Sequence, residues 1–445
     1  MLKRVAFLAV ILSCLLCTGV FANPGTIEQL KLVSNNHVPT KLVVVHSYST
    51  AKFVKDLFNI VKLINEKDKI PASDRLKLHI IPSSGNPVAS LGISNEDAEK
   101  YVEVNSRFSS SDIWAQDCME ICSARYAGAS EFVPAVFDSR RGRGLGGLPK
   151  VLSEMWDLAY AANPSSAQSH GDYGGNLEVV PNDDILVAGN TITGPCKAFF
   201  EKMGYAGRMF LPNTRWLSVG HIDEYLMFIP TAHAPGGYSF VRADPLYALE
   251  LIEGAQDKDF DTLKSSSDAS FMKKVRATLQ AQRHNPQAGK GTAEGDFIEL
   301  NRAISDIIEE NVGKLKQLIR TTSGDEDRDF EEVAWPSLYT GRGGSNPSSC
   351  HAFLPGVVNL LVLRNHLIVP ACHFAPFDTV IEARFRAQGN QVHFVDDEPY
   401  HNSMGEIHCG TNVLRKLDKV MFTPEHVERI QRLKQTFRKL HEGTR

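Results

Sequence analysis

Cys409 lies between Gly405 and Gly410 in the run GEIHCGTN at 405–412, where small neighbours let a substrate approach the backbone closely. His221 and Asp223 stand two residues apart in the alternating stretch 217–228, and strand alternation predicts that both point to one face. Asp117 follows Trp114 and Gln116 in 113–121, which also reads as a strand, and Arg141 and Arg143 occupy a glycine-rich loop at 137–147. Two carboxylates can hold a planar cation by paired hydrogen bonds while a thiolate attacks the carbon between them, and a guanidinium is such a cation. Acyl transfer suits these parts less well, because a cysteine protease has no use for a second carboxylate facing its substrate. A zinc site is also disfavoured, since no Cys-x-x-Cys or His-x-x-x-His pair is present. Each part has an ordinary reading as well. Most buried cysteines are inert packing, a His–Asp pair is often a buried hydrogen bond, and an arginine loop is either a solvated turn or a clamp for carbonyls and carboxylates.

These residues need elements to hold them. LVVV at 42–45 reads as a buried strand, 56–63 has helical spacing, LKLHIIP at 76–82 is a second strand, and Asn95 opens another helix with Glu96 and Asp97 in its first turn. A glycine turn at 171–176 feeds a strand to 181, and ILVA at 185–188 is another; Gly174 and Gly175 do not form a phosphate loop, because no helix start with Lys or Ser/Thr follows. Residues 253–320 are polar and helical, 357–363 and 366–369 read as a hairpin, 379–387 as a helix and 392–395 as a strand. This alternation predicts an α/β class, and with no repeat or obvious linker one domain is expected.

With 42% hydrophobic and 22% charged residues, the 445-residue chain has a globular composition, which excludes the disordered and fibrous classes. Residues 1–22 read as a secretory signal peptide: Lys3 and Arg4 precede an apolar run at 5–20 that is too short to span a bilayer, and Ala22 suits cleavage. No other stretch is long and apolar enough to cross a membrane. The expectation is a secreted or otherwise extracytoplasmic single domain at 23–445. Its formal charge is more negative than the −4 of the whole chain, which gives no electrostatic reason to bind nucleic acid. Cys14 and Cys17 leave with the leader, so Cys118, Cys122, Cys196, Cys350, Cys372 and Cys409 remain and some could pair; a free Cys409 leaves at least one other unpaired.

Five ordered blocks, WAQDxxE from Trp114, DSxRxRGL from Asp138, GNLEV from Gly175, VGHIDE from Val219 and GEIHCGTNV from Gly405, resemble the catalytic domain of the protein-arginine deiminases. The resemblance runs from about Val43 onward. It implies a five-bladed pseudo-symmetric α/β propeller, the pentein fold. It also implies that Cys409 is the nucleophile, that Asp117 and Asp223 grip the guanidinium, and that His221 is the general acid and base. Arginine would become citrulline through a covalent thiouronium on Cys409. Arg141 and Arg143 match arginines that grip the substrate backbone and Trp114 an aromatic along the arginine stem, whereas Ser403 replaces an arginine of some members. A family Ca2+ site would use Gln116, Glu120 and Glu178 side chains with the carbonyls of Gly174 and Leu177, all hard oxygen donors. At a second site Asp138 and Ser139 remain, but Cys118 and Gly142 stand where a carboxylate and an amide are expected. The family's N-terminal immunoglobulin-like domains have too little preceding chain to be present. The resulting expectation is a secreted hydrolase acting on arginine in proteins or peptides. A deiminase of free arginine or agmatine, or a non-catalytic calcium-binding module, are the alternatives.

Overall fold

The computed structural model describes residues 25–163, 171–232 and 234–421. The leader expected at 1–22 lies outside them. Among the described residues one arrangement occurs five times: a second strand pairs antiparallel with a first and, through a helical crossover, parallel with a third; in the sheet of His37–His46 the first strand, Thr411–Val420, comes last in the chain. A parallel neighbour requires such a crossover, because the chain must return to the same end of the sheet. The second strands are His37–His46, Val133–Asp138, Ile185–Ala188, Tyr238–Asp244 and His366–Pro370. Their crossovers contain Ala51–Lys67, Leu148–Met155, Gly194–Phe200, the helices from Pro245–Gly254 to Ala293–Ser323, and Ala375–Ala387. The chain is therefore α/β, as expected.

The strand His37–His46 shows how sequence sets this up. Leu42, Val43, Val44 and Val45 are all fully buried. Leu42 and Val44 pack in one apolar cluster with Phe53 and Leu57, while Val43 and Val45 join another with Ile121 and Val136. A strand covered on both faces needs no polar alternation, so its apolar run is continuous. The following helix, Ala51–Lys67, buries Phe53, Val54, Leu57, Phe58, Val61 and Ile64, the three-and-four spacing of one helical face. On its other side the strand pairs antiparallel with Thr411–Val420, Thr411 opposite Val44. The turn carrying Cys409 is thus anchored to the buried half of that strand.

Two expected strands are corrected. Residues 115–118 form a turn, and the strand Met119–Tyr126 begins only after Asp117. In 217–228 the strand starts at Leu226, and His221 caps a short 3-10 turn, Ile222–Glu224. The reason is local: Glu224 Oε1 accepts the His221 N–H at 2.8 Å, a reach-back that closes a turn. Among the described residues all six cysteines are unpaired and buried, so none of the possible disulfides forms. No described helix is long and apolar enough to cross a membrane.

Candidate active site

Cys409 sits in a turn at 407–410, immediately before the strand Thr411–Val420. Gly410 N donates to Glu406 O at 3.1 Å and Thr411 Oγ1 to Ile407 O at 2.9 Å, which closes the turn. Gln116 N donates to Cys409 O at 3.2 Å and Asn412 Nδ2 to Met119 O at 3.0 Å. The turn bearing Asp117 is thereby laced to the turn bearing Cys409. Asp223 arrives from the 3-10 turn: Cys409 Sγ donates to its Oδ2 at 3.5 Å, and His408 Nδ1 donates to the same oxygen at 2.9 Å. His221 Nδ1 lies 3.8 Å from Asp117 Oδ1. All four residues that the sequence marked for chemistry therefore converge, although turns hold them where strands were expected.

Burial dominates their electrostatics. It raises the Asp117 carboxyl, a rise opposed by His221 and Arg141 and reinforced by Asp223. Burial also pushes the Cys409 thiol well above its ordinary value, with the Asp223 and Asp117 charges adding to the rise. Asp117 Oδ1, Asp223 Oδ1 and His221 Nδ1 are buried and make no hydrogen bond among the described residues. A planar cation with N–H groups on two edges supplies the donors that two such carboxylates require.

The arginines are placed less evenly. Arg141 is only 1% exposed. Its Nη2 lies 3.1 Å from Asp117 Oδ2, its Nη1 lies 3.7 Å from Asp112 Oδ2, and Nη1 donates to Trp114 O at 3.2 Å. The guanidinium also lies 5.4 Å from the Tyr173 ring centroid. Arg143, with a 54% exposed side chain, keeps its Nε 3.5 Å from Asp112 Oδ2. One arginine of the loop is therefore inside, on the carboxylate expected to grip substrate, and the other is at the surface. Trp114 is half-buried and meets Tyr400 edge-on at 5.6 Å.

A family model described as protein-arginine deiminase matches residues 88–421. The chain belongs to the protein-arginine deiminase family. Human protein-arginine deiminase type-1 is 28% identical over 340 residues, covering 68% of this chain and 46% of that protein. The chain thus spans about half the length of the curated relatives it matches. Two solved structures, a candidate peptidyl-arginine deiminase and a candidate arginine deiminase from Porphyromonas gingivalis, each superpose with a TM-score of 0.52 over 87% of this chain and 99% of theirs. At 11% and 13% identity these two likenesses show the fold alone.

Next to His408 is a cavity of about 40 Å³ lined also by Gln116, Glu120, Leu177, Glu178 and Arg415, enough for one ion or a water. Burial raises both acids: Glu178 is pushed up to about 7, and Glu120 goes well above its ordinary value with Glu178 as the next cause. Gln116 Nε2 donates to Glu120 Oε1 at 2.6 Å, and Gly174 is pressed so close that a Cβ would lie 2.4 Å from that oxygen. Two crowded carboxylates, an amide and nearby main-chain oxygens fit a hard divalent cation in donor chemistry. Among the described residues, no group of three or more His, Cys, Asp or Glu side chains could hold a metal, so main-chain and amide oxygens would have to complete this set. Both residues remaining at the second family site have partners within the chain. Asp138 accepts from Arg140 N at 2.7 Å and from Tyr160 Oη, and Ser139 Oγ donates to Asp117 O at 2.8 Å.

Three participants escaped the sequence reading. Asp112 anchors both arginines. His408 bridges the two centres, with Nδ1 on Asp223 and Nε2 4.0 Å from Glu178 Oε1; burial opposes its charge, but Asp223 and Glu178 outweigh that and hold its pKa above normal. Asn359 touches Cys409 itself, with Nδ2 3.2 Å from Sγ. Only the position of His408 beside Cys409 was a signal; an amide in the apolar run 357–363 gave none.

Gly175 is required by close approach, since a Cβ there would lie 2.7 Å from His221 Nδ1 and 3.0 Å from Asp223 Oδ2. Gly175→Ala is expected to shift both groups and lower turnover of an arginine substrate by about 10²-fold, the scale of an ångström misplacement. Steady-state kinetics alongside a melting curve test this: unchanged turnover would mean that neither group depends on residue 175.

Proposed function

We propose that the chain is a secreted protein-arginine deiminase, converting peptidyl-arginine to citrulline and ammonia. The observation that carries this reading is the meeting of Cys409, Asp117, Asp223 and His221 around buried carboxylate oxygens that make no hydrogen bond among the described residues. In this reading Asp117 and Asp223 hold the guanidinium so that its carbon faces Cys409 Sγ. Thiolate attack forms the S–C bond; His221 gives a proton to the departing nitrogen, the C–N bond breaks and ammonia leaves. His221 then takes a proton from water as the water attacks the thiouronium carbon. The S–C bond breaks and the thiolate is restored, while the remaining hydroxyl proton passes to solvent or the released ammonia as neutral citrulline leaves.

The proposal includes five sheets closed as a five-bladed propeller around this site, and one Ca2+ held by Gln116, Glu120 and Glu178 with the Gly174 and Leu177 carbonyls. When bound, the ion would neutralise Glu120 and Glu178 beside His408. Secretion rests on the charged and apolar pattern at 1–22. A second reading, a deiminase of small guanidines, is favoured by the inward position of Arg141, which removes one expected grip on a peptide backbone.

The test is citrulline formation from a blocked arginine peptide and from free arginine, each with Ca2+ and with excess chelator. Peptide turnover that falls on chelation is expected. Activity on free arginine alone would overturn the peptidyl reading, and full activity in chelator with no bound metal would overturn the calcium part.

A further inference from the structure

The nucleophile sits in surroundings that oppose its reactive form. A thiolate at Cys409 would be buried beside Asp223 and Asp117, and both charges disfavour it. Among the hydrogen bonds of the described residues, one donor reaches the sulfur. Asn359 Nδ2 stands 3.2 Å from Cys409 Sγ, while Asp223 Oδ2, the other polar contact at 3.5 Å, is an acceptor.

The orientation of that amide is fixed by chemistry. Asn359 Oδ1 accepts the backbone N–H of Cys409 at 3.1 Å, and the reversed amide would set donor against donor. Nδ2 must therefore face the sulfur. The main chain is held as firmly: His408 N donates to Asn359 O at 3.1 Å, and Asn359 N donates to Gly356 O at 3.0 Å. Gly356 N in turn donates to Glu406 Oε1 at 2.9 Å. The turns at 356–359 and 406–409 are thus pinned at both ends, and Asn359 is 2% exposed.

We propose that Asn359 is a catalytic residue, whose side-chain amide donates to the Cys409 thiolate and holds it ready before a guanidinium arrives. It neither gives nor takes a proton. Its donor partly offsets the two carboxylates, and the substrate cation supplies the rest when it binds between them. This role in turnover rests on the deiminase reading above; the effect on the thiol does not.

The experiment is alkylation of Cys409 in the full chain by iodoacetamide as a function of pH, with Asn359→Asp and Asn359→Ala compared to the parent. Asn359→Asp keeps the acceptor for Cys409 N, removes the donor to Sγ and adds a negative charge. Hydrogen bonds to charged groups are worth about one to two pH units of thiol acidity. Both variants are expected to move the alkylation midpoint upward by that much and to lower the rate at pH 7.5 by about tenfold or more. Citrulline formation should fall with it, in kcat more than in KM. An alkylation profile that superimposes on the parent's in a variant with an unchanged melting temperature overturns the proposal. If Asn359→Asp does not fold, Asn359→Ala decides by the same criterion. A parent that alkylates normally but forms no citrulline would overturn the deiminase reading, while the shift in the alkylation midpoint would still decide the role of Asn359.

Discussion

Cys409→Ser is expected to reduce citrulline formation by about 10⁴-fold or more while leaving the melting temperature nearly unchanged. The substitution exchanges one atom in a buried turn whose closing hydrogen bonds come from Gly410 N and Thr411 Oγ1, not from the sulfur. A hydroxyl can still donate to Asp223 Oδ2 and accept from Asn359 Nδ2, so packing and satisfaction of polar groups persist. What is lost is an attacking atom ionisable near neutral pH. A carboxylate such as Asp223 is too weak a base to ionise an alcohol, and His221 faces Asp117 at 3.8 Å. Turnover of the serine variant within tenfold of the parent would remove Cys409 from the chemistry.

Asp223→Asn is expected to move two measurements in opposite directions. Asp223 is fully buried and takes both Cys409 Sγ and His408 Nδ1 on Oδ2. After burial itself, its charge is the leading cause that holds the thiol up. Neutralising it should make the thiol more acidic, so iodoacetamide reacts faster at pH 7–8. The same change deprives a bound guanidinium of charge-assisted hydrogen bonds worth about 1.5–3 kcal/mol each, so kcat/KM should fall by about 10³-fold. An unchanged melting temperature separates this outcome from general unfolding, which would also expose the buried thiol and stop turnover. Slower alkylation in a folded variant would show that Asp223 activates the thiol instead of opposing it.

The parts of the fold that sequence made legible are those set by burial alone. Leu42 to Val45 read as a strand because both faces are covered, and the helix around Leu57 shows because its apolar face repeats at three and four. The order of strand and helix followed, and so did the α/β class. The geometry of the site was less legible. His221 and Asp223 were placed on one strand face, but the hydrogen bond from His221 N to the Glu224 side chain outweighs the alternating pattern and makes a turn. Asp117 was given a strand that starts two residues later, because its turn is held by the bond from Gln116 N to Cys409 O, between segments far apart in the chain. The residues singled out by type still converge, since a carboxylate keeps its charge whichever element carries it. The inward course of Arg141 and the contact of Asn359 with sulfur are tertiary facts that leave no local trace.

The pairing of Thr411–Val420 with His37–His46 joins the two ends of the described chain in one sheet. Such a pairing has about the largest loop to close of any in the molecule, and contacts of that range form late and slowly. During synthesis the strand must wait for its outer neighbour until the residues through Val420 have been made. Until then one of its edges stays open to other chains, a period in which association competes with folding. The same late strand carries the turn of Cys409 into place, so the four converging residues meet only after the other described sheets have been made.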